Sequence, residues 1–415
     1  MADICGFAHA QTITNAQLQD KNNMENCTIQ KQLARFWELD CIKNDFTSLS
    51  VEEMECEQSF VQNTTRLPDG RFLLTIPLKE SPSLLGDSYC LAKQRFLSLE
   101  NKLQRDPILK QSYTKFIHEY IQLGHMSESH YDRSQITYFA PHFAVLKSDS
   151  ITSKLRVVFD CSAKSSSGYS FNDLQKVGPT IQDDLFSILM RFRQHDVALT
   201  ADVAKMYRQC NVVESQRPLQ QILWRDDPSQ PIKTFQLNTV TYGTSSAAFL
   251  AVRCLRQLSI ECDDPVIKEI IARDFYVDDL ISGCSETEGA TRIYTKLTET
   301  LNSACFPLRK WRSNDTSVLQ NIANDKTDGA EGNLDLCPEH SSKVLGITWN
   351  SVSDNLCITT NVDLKGSVTK RNILSTISKI FDPLGLVAPT ILEAKYKSPD
   401  TLFVTVLSIY NYIFS

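Results

Sequence analysis

Two adjacent aspartates interrupt an otherwise apolar run, "FYVDDLIS", at Asp278 and Asp279. Phe, Tyr, Val and Ile favour strands and Asp is depleted from them, so the run predicts a β-hairpin with the acid pair at its middle. An Asp-Asp pair that merely supplies the turn is the ordinary reading of such a short segment. Yet carboxylates beside a packed sheet are costly to bury without a partner, and a divalent cation would offset that cost. A second segment, "VALTADVAKMYRQ", reads as a buried strand that delivers Asp202 at its end. Taken alone, Asp202 is as readily the N-cap of a following helix.

Taken together, one Asp after a strand and an Asp pair in a hairpin are the set that two-metal phosphoryl transfer uses. Hard oxygen ligands suit Mg²⁺ (or Mn²⁺), and two ions are expected on Asp202, Asp278 and Asp279. One ion would lower the pKa of a primer 3′-hydroxyl, and the other would clamp a triphosphate and its leaving pyrophosphate. The nucleophile then belongs to the substrate, so no Ser-His or Cys-His arrangement is required, and none stands out.

Composition is compatible with such an enzyme but does not select it. The chain has 415 residues, 42% hydrophobic and 22% charged, enough for two or three packed units. Its net charge is −6, with 43 Lys+Arg against 49 Asp+Glu, so any nucleic-acid track must be a local basic groove. Basic residues recur among apolar strands between Lys147 and Arg208, which leaves room for one. The 13 cysteines include no C-x-x-C pair, which points to reduced thiols in an intracellular protein. The start, "MADICGFAHAQ", lacks the apolar core of a secretory signal. The final run "TLFVTVLSIYNYIFS" is apolar over only 15 residues, against the roughly 20 a spanning helix needs, so no membrane partner is expected.

Along the chain, residues 1–30 read as an unstructured or remnant leader and 31–134 as a mainly helical segment. Ser50 with Glu53 forms a capping-box pattern, and Leu91, Phe96, Leu99 and Leu103 make an apolar helical face. Asp106 and Pro107 restart a helix on which Ile108, Leu109, Tyr113, Phe116, Ile117, Tyr120 and Ile121 follow the three-four spacing up to Gly124. After Gln135 the texture turns to short strands: "ITYFAPHFAVLK" and "KLRVVFD" as a hairpin, then "VALTADV", "QQILWRD", "KTFQLNTVTYG" and the acidic hairpin. Helices are expected over "IQDDLFSILMRFRQ", from about Ala247 to Leu258, and through "ATRIYTKLTETLNSA". The mixed order favours an α+β fold over a doubly wound sheet. Residues 313–342 are polar and read as an exposed linker.

"FYVDD" resembles the aromatic-x-Asp-Asp motif of reverse transcriptases, and "TADVAKMYRQ" resembles their first catalytic motif. The surrounding "KLRVVFDCSAK", "VGPTIQDDLFSILMRFR", "ILWRDD", "TYGTSSAAFLAVRCL", "LRKWRSND" and "FDPLGLVAP" are similar to the BEL/Pao class of long-terminal-repeat retrotransposons, from about Lys31 to about Ala394. The resemblance implies a right-hand polymerase with fingers and palm at 135–312 and a partial thumb or connection at 343–395. It implies RNA-directed DNA polymerase activity on an RNA or DNA template with primer, consuming deoxynucleoside triphosphates. It sets no oligomeric state.

Roles follow for matching positions. Asp202, Asp278 and Asp279 would form the metal-binding triad. Tyr207 falls where these enzymes place an aromatic gate against the ribose 2′-hydroxyl; a plain core role is the alternative. Lys147, Lys154 and Arg156 would lie on the fingers hairpin and grip the triphosphate, Arg156 best because its fork matches phosphate. A solvated surface role is equally open to the two lysines. Tyr242 would stack on the sugar or base. Gly243 and the small residues after it would admit template or nucleotide backbone; a tight strand-to-helix turn is the plain reading, and both can hold at once. Ala248 stands where relatives tend to carry proline, which predicts a looser helix entry. Lys310 resembles a later lysine near the triphosphate, and "VLGITWN", around Leu345 and Gly346, resembles a primer grip.

No Asp-Thr-Gly or Asp-Ser-Gly protease motif occurs, and past "FDPLGLVAPTILEAK" the resemblance is expected to stop, leaving 396–415 as an unrelated apolar tail. The alternative is therefore a truncated, catalytically inactive retroelement remnant that retains at most nucleic-acid binding. A protein-interaction module built on the acidic N-terminal helices has no motif behind it.

Overall fold

The computed structural model describes residues 49–130, 132, 134–146, 155–325, 341–344 and 347–357, with scattered positions between 369 and 392. All but residues 49–51 of these belong to one unit, Glu52–Ser415. The N-terminal third contains helix α1 (Val51–Asn63), strands β1 (Thr65–Arg66) and β2 (Phe72–Leu74), helices α2 (Tyr89–Arg105) and α3 (Pro107–Gln122) and strand β3 (Met126–Ser129). Strands β4 (His142–Leu146) and β5 (Leu155–Phe159), helix α4 (Leu185–Phe192) and strands β6 (Val197–Val203), β7 (Asn211–Val212), β8 (Gln221–Trp224) and β9 (Lys233–Leu237) follow. Next come helices α5 (Ala247–Glu261) and α6 (Pro265–Arg273), strands β10 (Phe275–Tyr276) and β11 (Asp279–Cys284), and helix α7 (Thr287–Asn302). Strand β12 (Leu308–Ser313), helix α8 (Thr316–Asp325) and strands β13 (Ser341–Val344), β14 (Ile347–Asn350) and β15 (Asn355–Cys357) complete a mixed α+β fold.

The helices start where local chemistry says they should. Asp106 caps α3 by accepting the Leu109 amide at 3.0 Å, with Pro107 in the first turn where its missing N–H costs nothing. Of its predicted apolar face, Leu109, Tyr113, Ile117 and Tyr120 are buried, whereas Ile108 is 80% exposed and Ile121 is also on the surface. The expected stripe was too wide. On α2, Ala92 is buried with Phe96, Leu99 and Leu103, while Leu91 lies at the margin.

Two helices were not anticipated. α6 follows an Asp264-Pro265 start in which Asp264 accepts the amides of Val266 and Ile267 at 3.0 and 3.3 Å. α8 occupies part of the stretch expected to be an exposed polar linker, and it buries Val318 and Ile322, one turn apart on its inner face.

The helical N-terminal segment is not a separate body within this unit. β2 runs parallel to β7, with Leu73 opposite Asn211, and β3 pairs antiparallel with β9. One hydrophobic core extends from Cys56 to Ile322, so the described residues show no break in the core at 134/135.

Strand β6 divides this core from a smaller one. Val197, Leu199, Ala201 and Val203 face the main core, and Ala198 faces a cluster of Ile188, Phe192, Ile281 and Trp349. The strand's period of two thus serves both faces of a central sheet.

Candidate active site

The central sheet has the order β10-β11-β6-β12, all neighbours antiparallel. Its register sets Asp279 opposite Asp202, and Arg309 opposite Asp202 on the other side. Directly opposed residues project from one face. Asp202, Asp279 and Arg309 therefore share the face on which Ala198 and Ile281 pack further along the strands.

Asp278 sits in the two-residue turn between β10 and β11. Its neighbour Val277 has φ +57°, and of the pair only Val277 has a positive φ. A β-branched residue there is an outlier, costing about 1–3 kcal/mol. Surrounding groups hold it. The Val277 amide donates to Gln182 Oε1 at 2.9 Å, and the Val203 amide donates to the Asp278 carbonyl at 2.7 Å. At the hairpin base the Ser282 hydroxyl donates to Asp274 at 2.7 Å, and Arg191 reaches the same carboxylate at 3.2 Å.

The three acids have unequal surroundings. Burial pushes the Asp278 carboxyl up, the Asp202 charge adds to this, and Arg309 and Lys310 oppose it. Burial, then the charges of Asp278 and Asp202, push Asp279 up to about 7, against the pull of Lys310. Asp202 is engaged by cations: Arg309 Nη2 and Nε lie 2.9 and 3.0 Å from Oδ2. Its buried Oδ1 accepts no hydrogen bond, and the Lys310 ammonium stands 3.4 Å away, close enough for an ion pair but not aligned as a donor.

A hard divalent cation suits this donor set chemically: three carboxylates in mutual electrostatic reach, one with an orphaned buried oxygen. No group of three or more His, Cys, Asp or Glu side chains among the described residues forms a ready metal cage as it stands. The Arg309 bond to Asp202 is one physical reason, since a ligand shared with a guanidinium is not free to coordinate fully.

Several other predicted residues converge here. Tyr207 lies on the 3₁₀ turn Met206–Gln209, half-buried; burial raises its phenol, the Asp278 charge adds to this and Arg156 opposes it. Arg156 is exposed on β5 and opposite Val145. Tyr242 packs 5.4 Å from the Phe159 ring and lies within the electrostatic reach of Arg156.

Lys310 owes its position to a β-bulge. Arg309 faces Asp202 but Arg312 faces Thr200, so β12 carries one extra residue, and Lys310 has φ +54°. Lys147 and Lys154, and Leu345 and Gly346 of the expected primer grip, lie outside the described residues.

Gly243 stands where two backbone segments approach closely. Its φ is +103°, and a Cβ there would fall 2.3 Å from the Phe159 carbonyl oxygen. The close approach is made by the chain's own β5, and Asn172 Nδ2 donates to the Gly243 carbonyl at 2.9 Å. The helix entry after it is also firmer than Ala248 suggested. Asn172 Oδ1 accepts the Ser245 amide at 3.0 Å, and the Ser246 hydroxyl donates to Gln175 at 2.8 Å.

Sequence reasoning passed over Arg309, Gln182 and Glu119. Arg309 was discoverable from its place beside Lys310 in a strand-like run. Gln182 and Glu119 carry no local signal.

A family model described as the Pao retrotransposon-like RNaseH-like domain matches residues 369–400. This stretch includes "FDPLGLVAP" and passes Lys395, overlapping the segments expected as partial thumb and as apolar tail. No curated protein matches the chain. Among solved structures, the foamy viral protease-reverse transcriptase in complex with RNA/DNA hybrid aligns at TM-score 0.47 and 13% identity, over 73% of this chain and 37% of that one. The foamy viral protease-reverse transcriptase dRH in complex with double-stranded DNA aligns at 0.44 and 14%, over 68% and 43%. A prototype foamy virus protease-reverse transcriptase CSH mutant aligns at 0.38 and 17%, over 49% and 24%. The chain spans less than half the length of each. On a mixed α+β fold, it thus carries at 369–400 a segment similar to a retrotransposon RNaseH-like domain.

Proposed function

We propose that the chain is the RNA-directed DNA polymerase part of a BEL/Pao-type retrotransposon Pol protein, with β6, β10, β11 and β12 as its palm. The observation that carries this reading is the pairing of Asp202 with Asp279 across adjacent strands, with Asp278 at the strained tip beside them. The retrotransposon-type match at 369–400 supports the source.

Asp202, Asp278 and Asp279 would hold two Mg²⁺ or Mn²⁺ ions, which when bound supply activation of a primer 3′-hydroxyl and neutralisation of the leaving pyrophosphate. Arg156 and Lys310 would receive the phosphates of a deoxynucleoside triphosphate. As the triphosphate arrives, Arg309 would exchange Asp202 for a phosphate oxygen, an equally good partner for its fork. Tyr207 and Tyr242 would bound the sugar and base. Template and primer would be held mainly through their phosphates, so affinity should fall steeply with salt.

A second reading is a retroelement fold that binds nucleic acid without polymerising. The engagement of Asp202 by Arg309 and Lys310 favours it. Primer extension on poly(rA) with Mg²⁺ or Mn²⁺, beside Asp278→Asn, decides between them. Extension that vanishes in the variant supports the polymerase; folded, template-binding protein that extends nothing supports the second reading.

A further inference from the structure

One turn of helix α3, from the N-terminal segment, reaches the basic residues on either side of Tyr207. Glu119 Oε1 lies 2.5 Å from Lys205 Nζ and 3.2 Å from Arg208 Nη2. Lys205 and Arg208 flank Tyr207, and Lys205 opens the Tyr207 turn in the left-handed region, at φ +56°. Such a conformation persists only where the surroundings hold it. The Glu119 carboxylate grips the side chain of that residue and the far end of the same turn.

Tyr120, the next residue of α3, works on the other side. Its ring lies under the Arg208 guanidinium, 4.4 Å from carbon to centroid, and its phenol lies within the electrostatic reach of Tyr242. Burial pushes the Glu119 carboxyl up, but the Lys205 and Arg208 bonds and charges more than reverse this, so it is ionised at neutral pH. A neutral amide at 119 would loosen both cations at once.

We propose that Glu119 is a positioning residue for sugar selection: by pinning Lys205 and Arg208 it holds Tyr207 against the ribose 2′ position, in register with Tyr242. This rests on the polymerase reading above, and specifically on Tyr207 facing the sugar. A merely structural role would lower stability and slow all substrates alike. A positioning role changes the preference between deoxy- and ribonucleotides.

The test is steady-state primer extension by the full chain with dNTP and rNTP, for wild type, Tyr207→Val, Glu119→Gln and Glu119→Asp, with thermal melting alongside. Glu119→Gln is expected to lower the dNTP preference about tenfold, mainly through KM. Its melting temperature should stay within about 5 °C of wild type. Glu119→Asp, which keeps the charge on a shorter arm, should fall between the two, and it keeps the test open if the Gln variant does not fold. Wild-type preference in both Glu119 variants, while Tyr207→Val relaxes it, overturns the inference and leaves the polymerase reading standing. A wild-type chain that does not extend, or a Tyr207→Val that keeps full preference, overturns the reading beneath and the inference with it.

Discussion

Half-buried carboxylates are treated in opposite ways in two regions of this molecule. In the framework each meets its own cation. Glu100 accepts two bonds from Arg225 at 2.8 and 2.7 Å, and Glu57 accepts Arg253 Nε at 2.8 Å. At the end of β6 and the hairpin tip, three carboxylates face Arg309 and Lys310, and both basic groups bind Asp202. Burial and like charge leave Asp278 and Asp279 raised. A matched pair is weak evidence for function, because balanced charge is a normal way to bury an acid. An unbalanced cluster is different: it raises the energy of the fold, and a chain retains it where a cation or phosphate chemistry uses it.

The largest effect of a substitution should come from the unbalanced region. Asp278→Asn is expected to reduce primer extension to background while primer-template affinity stays within about twofold, since affinity is set by backbone phosphates. Unchanged extension would remove Asp278 from the site. In the framework, Glu100→Ala leaves Arg225 without its bidentate partner, with side-chain exposures of only 15% and 13% for the pair. Urea unfolding should show a loss of about 3 kcal/mol, the lower end for a buried pair that loses one partner. A loss below about 0.5 kcal/mol would mean that solvent already carries that charge.

Neutralising an acid in the unbalanced region should have the opposite sign. The Asp279 carboxyl is raised from 3.8 to about 7, so between those values the folded chain holds more protons than the unfolded one. Its stabilising share is present below about pH 4 and is lost as pH rises through 7. Metal-free Asp279→Asn should therefore melt higher than wild type at pH 8, by about 2–4 °C after allowance for solvent screening, and the gap should close toward pH 4. A variant that melts lower at pH 8 would show that Asp279 is balanced after all.

The smallest effect is expected at Arg309, whose side chain is 43% exposed. Arg309→Gln frees Asp202, and Mn²⁺ affinity measured by titration calorimetry should tighten about threefold, the scale of a screened ion pair. Weaker binding would make Arg309 a support of the metal ligand rather than its competitor.

Much of the site was legible because it lies in short local patterns. "VALTADV" alternates as a strand serving two faces must, and it is one, Val197–Val203. The acidic hairpin is where strand formers break at Asp278 and Asp279. α6 was equally legible, from Asp264-Pro265 and the spacing of Ile267, Ile270 and Ile271, and was passed over beside the stronger hairpin signal. α8 was hidden because Val318 and Ile322 are two apolar residues in a polar stretch, too few to mark a face. Gly243 announced a close approach but not the partner, since a glycine records missing side-chain volume and not what fills it.

By itself the sequence determined which residues stand at strand ends and on which face, because backbone period and side-chain propensity act over a few neighbours. Only the tertiary structure decided what meets them. Gln182 reaches Val277 across 95 residues and Glu119 reaches Arg208 across 89, contacts set by which surfaces close over the common core. The charge balance of each carboxylate is decided at that same step. An aspartate's electrostatics depend on burial and on cations brought near by folding, and its sequence neighbours record neither.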